Sequence, residues 1–246
     1  MSEMANAKIK AVLFDFMGTC LDWHSGTLAA LPQSISAKSR SEFALQWRQN
    51  YFDSNAARLA ARLPPEDIDL TLRRTLDGML EEERWTDVRA GFHALGKEQE
   101  EAKDKVVRAW HSMPSWPDVK PAIDSLKGLG YEIFVHANGT TRLQLDLCRS
   151  SGLTFDMLFS SELLGVYKPA RENYEKVLRL LKLRAEECVL VAAHAYDTRG
   201  AKAVGMRTVY VHRWTDDIEE DMEVVKGEND VFLESMEGLG DVVGRL

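Results

Sequence analysis

The sequence predicts an α/β protein: a parallel sheet covered by helices on both faces, with a helical insert directly after the first strand. Three observations carry this reading. In the second half of the chain, short apolar runs alternate with amphipathic helical stretches, the rhythm of parallel strands joined by crossover helices. The first run is nearly continuously apolar, as a strand buried on both faces is. Between residues 23 and 111 helix formers dominate and no strand pattern occurs.

Taken in order, Ile9-Lys10-Ala11-Val12-Leu13-Phe14 is the first strand, ended by Asp15, with Gly18 supplying a turn. The insert follows. Its stretch from Glu42 to Ala61 carries Phe43, Trp47, Tyr51 and Leu59 among polar residues, Pro64-Pro65 breaks the pattern, and Asp67 to Arg84 resumes it. Met113-Pro114-Ser115-Trp116-Pro117 reads as the linker out. Then come a helix over 118–129, a strand over 131–135, a helix over 141–151 ended by Gly152, and a strand over 157–160. A helix over 171–183 places Tyr174, Val177, Leu178 and Leu181 on one stripe. A strand over 188–192, a helix over 198–204 and a strand over 208–211 complete the pattern. The tail is acidic at Asp216, Asp217, Glu219 and Glu220 and reads as a solvated face before a last short helix. The domain expectation is therefore a core of residues 1–22 and 112–246 around a helical cap of residues 23–111.

Composition sets the outer limits. The chain has 246 residues, 45% hydrophobic and 28% charged, which excludes fibrous and wholly disordered classes. Its 31 basic and 39 acidic residues give a net charge of −8, which argues against nucleic-acid or anionic-membrane partners. A small anionic substrate is still allowed, because a local site can be basic. Cys20, Cys148 and Cys188 lie far apart without metal-ligand spacing and read as small buried residues of a reducing compartment. No signal-peptide pattern opens the chain and no apolar stretch is long enough for a membrane span, so a cytoplasmic location is expected.

Ligands of parallel α/β sheets bind beyond the C-terminal ends of the strands. The polar residues there are Asp15 and Thr19 after the first strand, His136 and Asn138 after the second, Lys168 after the third, and His194 and Asp197 after the fourth. Singly, each is an ordinary turn residue, helix cap or solvated charge. Together they alternate in sign around one crevice, which independent caps have no reason to do. A lysine between two carboxylates keeps them ionised, and an ionised carboxylate oriented by a hydroxyl can act as a nucleophile.

Asp15-Phe16-Met17-Gly18-Thr19, Asn138-Gly139, Tyr167-Lys168-Pro169 and Asp197 resemble, in order and spacing, the four motifs of the haloacid dehalogenase superfamily. The chain looks most similar to its L-2-haloacid dehalogenase (type II) branch. Met17 stands where the superfamily's phosphatases carry an acid. Leu45-Gln46-Trp47-Arg48-Gln49 is similar to the cap segment whose arginine meets substrate, and Tyr174 follows Lys168 by six residues as in that branch. The resemblance implies a Rossmann-like core and a metal-free hydrolase. Asp15 would attack the halogen-bearing carbon, Thr19 would orient it and Lys168 would hold it ionised. Arg48, Asn138, Tyr174 and Met17 would form the substrate side, with Tyr174 supporting the polar network, and Asp197 would orient or activate the water that cleaves the ester. No cofactor is implied and magnesium is not favoured. The partner is a small-molecule substrate, and a homodimer is compatible with the resemblance.

The sequence departs from that branch in two places. Ala137 replaces a serine that helps bind the substrate carboxylate, a loss of roughly 1.5–3 kcal/mol for one hydrogen bond to a charged group. Ala192 and His194 replace a serine and an asparagine that position the hydrolytic water. His194 is then either a substitute base or a space-filling partner of Asp197. These departures make room for an alternative, a tailoring enzyme of secondary metabolism that opens or rearranges an epoxide or similar electrophile of a larger substrate. A magnesium-dependent phosphatase is a further, weaker alternative. Trp47, Tyr51, Phe52 and Trp85 are candidates either for a pocket wall or for the core of the insert.

Overall fold

A computed structural model describes residues 8–64 and 66–246. The expectation about a leader segment falls mainly on residues 1–7, and half of the Pro64-Pro65 break on Pro65, so both lie outside the described residues in that part.

Six parallel strands form one sheet: β1 (Ala11–Phe14), β2 (Glu132–Ala137), β3 (Met157–Ser160), β4 (Cys188–Ala192), β5 (Arg207–Val211) and β6 (Val231–Leu233). Their spatial order is β3-β2-β1-β4-β5-β6. This is the doubly wound order that reverses at β1, so the crevice between β1 and β4 is where such sheets bind ligands. Phe14 pairs in register with Val135 on one side and Val191 on the other, which sets the ends of the three central strands level.

Between β1 and β2 the described elements are helical: α1 (Trp23–Ala30), α2 (Ala37–Ala60), α3 (Ile68–Glu81), α4 (Thr86–His93) and α5 (Gln99–Arg108), with short 3₁₀ turns between some of them. The chain enters and leaves this insert side by side. The Asp22 N–H donates to the Pro114 carbonyl at 2.9 Å and the Trp116 N–H to the Cys20 carbonyl at 3.0 Å. The expected linker over 113–117 is therefore paired with the entering segment. The remaining helices are α6 (Val119–Gly128), α7 (Thr141–Ser151), α8 (Ser161–Leu164), α9 (Arg171–Leu181), α10 (Ala195–Ala203), α11 (Met222–Glu228) and α12 (Leu239–Val243).

Side-chain alternation along the strands builds two cores. Val12, Phe14, Ile133, Val135, Val189 and Val191 pack with α6, α7, α12 and the insert, while Ala11, Leu13, Phe134, Leu190 and Ala192 pack with α9 and α10. In α2, Phe43, Trp47, Tyr51 and Asn55 are buried at spacings of four, and Ala44 and Arg48 share the buried side. Trp47 and Trp85 are core residues of the insert, which decides that alternative for both of them.

Two features of the tail differ from expectation. A sixth strand follows the fifth; at three residues it is too short to show a period. The acidic segment after residue 215 is not uniformly solvated, because Asp216 is only 5% exposed. Its carboxylate faces Trp23, Thr215 and His194, which supply partners that a sequence pattern does not display.

Leu190, at the centre of β4 and fully buried, is the point at which the sheet core is most simply tested. Leu190→Ala is expected to cost about 2–5 kcal/mol. The urea midpoint should fall while the m-value stays unchanged.

Candidate active site

The site is assembled at the sheet edge where the strand order reverses. Asp15 follows β1, and its carboxylate accepts three hydrogen bonds. Lys168 Nζ donates to Oδ1 at 2.9 Å, while Thr19 Oγ1 donates to Oδ2 at 2.7 Å. His194 Nδ1 lies 2.9 Å from the same Oδ2. Thr19 is itself fixed, since its hydroxyl accepts the Ala193 N–H at 2.8 Å. Burial pushes the Asp15 pKa up, but Lys168 and His194 more than reverse this and hold the carboxyl far below the usual range.

Lys168 is buried and saturated. Its ammonium donates to Asp15, to the His136 carbonyl at 2.7 Å and to Asp197 Oδ2. Burial lowers its pKa, yet the two carboxylates raise it overall, so it stays a cation. The Asn138 side chain clamps the lysine's backbone from both sides: Oδ1 accepts the Lys168 N–H at 2.8 Å and Nδ2 donates to the Lys168 carbonyl at 3.2 Å. The Asn138 amide is thus engaged with the lysine loop rather than free for substrate, although the residue lines the cavity.

Asp197 and Tyr174 lie behind this layer. Tyr174 is fully buried and donates to Asp197 Oδ1 at 2.6 Å, and neither residue lines the cavity beside Asp15. Tyr174 thus joins the polar network through Asp197. Asp197 is joined to Asp15 through Lys168. Burial raises the Asp197 pKa, opposed by Lys168.

The largest departure from expectation concerns His194. It does not pair with Asp197. Its Nδ1 meets Asp15, and its Nε2 lies 3.0 Å from Asp216 Oδ1. Two carboxylates on two ring nitrogens require both to carry protons. Burial would lower the His194 pKa, but Asp15 and Asp216 push it up to about 10. In this state His194 is a cation and not a base. Asp216 Oδ2 accepts Trp23 Nε1 at 3.0 Å and Thr215 Oγ1 at 2.7 Å. Strand-end reasoning applied to β5 as well would have reached Asp216; the acidic run around it concealed the signal.

Gly18 explains how Asp216 fits. It has φ +86°, and a Cβ there would stand 2.6 Å from Asp216 Oδ1. Glycine thus serves both the left-handed turn and the close approach. The turn is braced by Trp116 Nε1 on the Gly18 carbonyl and by Arg213 Nε on the Thr19 carbonyl.

From the insert, α2 brings Arg48 over the site. Its Nη2 donates to the Met17 carbonyl at 3.1 Å and stands 3.8 Å from Asp216 Oδ1. The guanidinium lies 4.5 Å from the Phe52 ring centre and 5.5–5.8 Å from those of Trp23, Tyr51 and Trp110, an aromatic cage for a cation. Its Nε and Nη1 are buried without a hydrogen-bond partner. Asp15, Met17, Arg48, Tyr51, Phe52, Ala137, Asn138, His194 and Tyr196 enclose about 10 Å³, room for about one water. Of the aromatic candidates, Tyr51 and Phe52 are wall residues.

A divalent cation fits these donors poorly. Both Asp15 oxygens and Asp197 Oδ2 already accept N–H or O–H donors, and Met17 offers a thioether where an acid would be needed. Among the described residues, no group of three His, Cys, Asp or Glu side chains is placed to hold a metal.

The fold and the motif geometry agree with what comparison with known proteins finds. The family model for haloacid dehalogenase-like hydrolases matches residues 9–205. The chain belongs to this family. It is 25% identical over 208 residues to (S)-2-haloacid dehalogenase 4A of Burkholderia cepacia, covering 83% of this chain and 84% of that one. It is 27% identical over 207 residues to (S)-2-haloacid dehalogenase 1 of Pseudomonas sp. strain CBS-3, covering 83% and 85%. The crystal structure of the L-2-haloacid dehalogenase PA0810 superposes with a TM-score of 0.79 at 27% identity, covering 97% of this chain and all of that one. The chain is thus a haloacid dehalogenase-like hydrolase similar to L-2-haloacid dehalogenases, with the Rossmann-like sheet of that superfamily. Among the described residues, no helix is long and apolar enough to cross a membrane.

Lys168→Met leaves Asp15 and Asp197 as buried carboxylates without their shared cation. The expected cost is about 3–5 kcal/mol at pH 7. Without the lysine nothing opposes burial at Asp197 but Tyr174, so its folded-state pKa rises further above the unfolded value, protonation favours the folded variant and the deficit narrows as the pH falls. Urea unfolding of both proteins between pH 7 and pH 5 measures this.

Proposed function

We propose that the enzyme displaces halide from a small 2-haloacid, with Asp15 as nucleophile. The observation that carries this is the pairing across one small cavity of an ionised, triply hydrogen-bonded carboxylate with a caged guanidinium that has unbonded N–H donors. A buried donor left unpaired costs roughly 1–3 kcal/mol, more when charged, and an anionic substrate group relieves that cost. A carboxylate or departing halide on Arg48 places the adjacent carbon toward Asp15.

In the first step an Asp15 oxygen forms a bond to the substrate carbon as the carbon–halogen bond breaks, and the halide leaves with the electron pair. Arg48 stabilises the anion. In the second step water adds to the Asp15 carboxyl carbon, the ester's acyl–oxygen bond breaks, and a 2-hydroxy acid departs. Splitting the displacement this way lets a fixed carboxylate, rather than free hydroxide, attack the carbon. The cavity is too small for even a three-carbon acid as it stands, so Phe52 and Tyr196 must shift for entry. They separate it from a neighbouring groove of about 500 Å³ lined by Phe52, Ala56, Leu59, Asn138, Pro169 and Tyr196. That groove favours a second reading, an electrophile with an apolar tail, such as the epoxide of a larger metabolite. The free, mostly buried cysteines suit a cytoplasmic enzyme.

Incubation with (S)-2-chloropropionate should release chloride, and Asp15→Asn should lower the rate to background. In ¹⁸O-water one solvent oxygen should enter Asp15 in a single turnover, read by peptide mass spectrometry; label only in the product would exclude the ester. A series of 2-chloroalkanoic acids distinguishes the two readings. If kcat/KM falls beyond three carbons, the small-acid reading stands, whereas a steady rise with chain length favours the groove.

A further inference from the structure

Ester hydrolysis needs a base near the Asp15 carboxyl carbon, and Asp197 does not line the cavity where water would stand. His194 does. We propose that His194 and Asp216 form a dyad that activates the hydrolytic water, and that esterification of Asp15 is the event that frees the histidine to do so. This rests on the reading of Asp15 as nucleophile.

The geometry is that of a histidine held by one carboxylate and presented to a reaction centre by its other nitrogen. Asp216 Oδ1 takes Nε2 at 3.0 Å, leaving Nδ1 directed at Asp15, 2.9 Å away. Asp216 is held in turn by Trp23 and Thr215, and Gly18 makes room for it. Its side chain is fully buried, so solvent does not compete for the histidine.

In the resting site His194 bridges two carboxylates and carries two protons. Once Asp15 becomes an ester it is neutral and its oxygens are weaker acceptors. The attraction that held the Nδ1 proton is then lost, and that proton can leave to solvent. The charged groups facing His194 are then Asp216 and Asp217 from the loop after β5, with Arg48 of α2 beside Asp216. Lys168 stands at the far oxygen of Asp15. Nδ1 now accepts a proton from water as the water oxygen bonds to the Asp15 carboxyl carbon. When the acyl–oxygen bond breaks, the same proton passes to the departing 2-hydroxy acid oxygen, and the second water proton, left on the Asp15 carboxyl, passes to His194 Nδ1, which restores both the Asp15 carboxylate and the resting His194 cation. One water is consumed, and the net proton released is the one His194 lost after the first step. His194 is catalytic in this scheme. Asp216 is a positioning residue that keeps Nε2 protonated and the ring fixed.

The test uses wild type, His194→Gln, His194→Asn and Asp216→Asn with (S)-2-chloropropionate, following chloride by rapid quench and the protein by intact mass. The histidine variants should release one chloride per site and then turn over at least 100-fold more slowly than wild type, as loss of a general base does. Asp15 should carry the propionate ester, and the chloride burst itself reports a folded site. Asp216→Asn should retain the burst and slow hydrolysis about tenfold or more. The rate of ester hydrolysis rises with pH as a base deprotonates, and without the Asp216 charge that rise should move to lower pH. A merely structural role for Asp216 would leave the position of that rise unchanged. Wild-type turnover without ester accumulation in both histidine variants overturns the proposal. Loss of the burst in both, with wild type active, also overturns it by assigning His194 to the first step. Chloride release by Asp15→Asn equal to that of wild type removes the nucleophile reading and the dyad with it.

Discussion

One buried ammonium group organises this site. Lys168 Nζ joins the end of β1 through Asp15, the end of β2 through the His136 carbonyl, and the start of α10 through Asp197. Each of these acceptors would be costly to bury alone, and the lysine would be costly to bury without them. The arrangement is therefore cooperative: it exists only when three separate segments meet at one point. That demand explains the supporting shell. Asn138 clamps the lysine's main chain, Tyr174 holds Asp197, and burial keeps His136 neutral, its pKa pushed down to about 3 with Lys168 adding to the effect. A second buried cation at His136 would sit against the first, so a neutral imidazole is what the site tolerates.

The insert acts on the site through a single charged side chain in an apolar setting. Arg48 exchanges most of its hydration for aromatic faces and one carbonyl, an arrangement available to a weakly hydrated, planar guanidinium and not to a lysine ammonium. The exchange is incomplete, because two donors remain unpaired. The insert and the sheet are thus chemically unfinished on their shared face. Phe52 contributes twice: it stacks on Arg48 and packs edge-on against His194, so the same ring covers both cations.

Much of this was legible in the sequence because parallel sheets impose it. Apolar runs locate the strands, and the strand-end rule collects Asp15, Thr19, Asn138, Lys168 and His194 without any coordinates. What the rule cannot assign is direction. Asn138, Tyr174 and Asp197 all gather around Asp15 and Lys168, yet their side chains turn toward the lysine loop and the core, and only three-dimensional packing decides that. β6 was missed because three residues carry no period. Asp216 was missed for a different reason: its neighbours Asp217, Glu219 and Glu220 make an acidic run, and such a run is ordinarily solvated. A burial of this kind depends on Trp23, 193 residues away in the chain, and on His194.

Gly18 links the legible part to the hidden part. In the motif Asp15-Phe16-Met17-Gly18-Thr19 its first requirement is visible: a sharp left-handed turn must return Thr19 to the Asp15 carboxylate, and only glycine enters that conformation without strain. The second requirement appears only in the structure. The absent Cβ is the space into which the Asp216 carboxylate fits. One residue therefore sets two partners of Asp15, with Thr19 on Oδ2 directly and Asp216 behind His194 on the same oxygen. The net acidity of the chain has no part in this. Lys168 and His194 touch Asp15 and Arg48 lines the same cavity, and the two buried aspartates beyond them, Asp197 and Asp216, keep those cations in place.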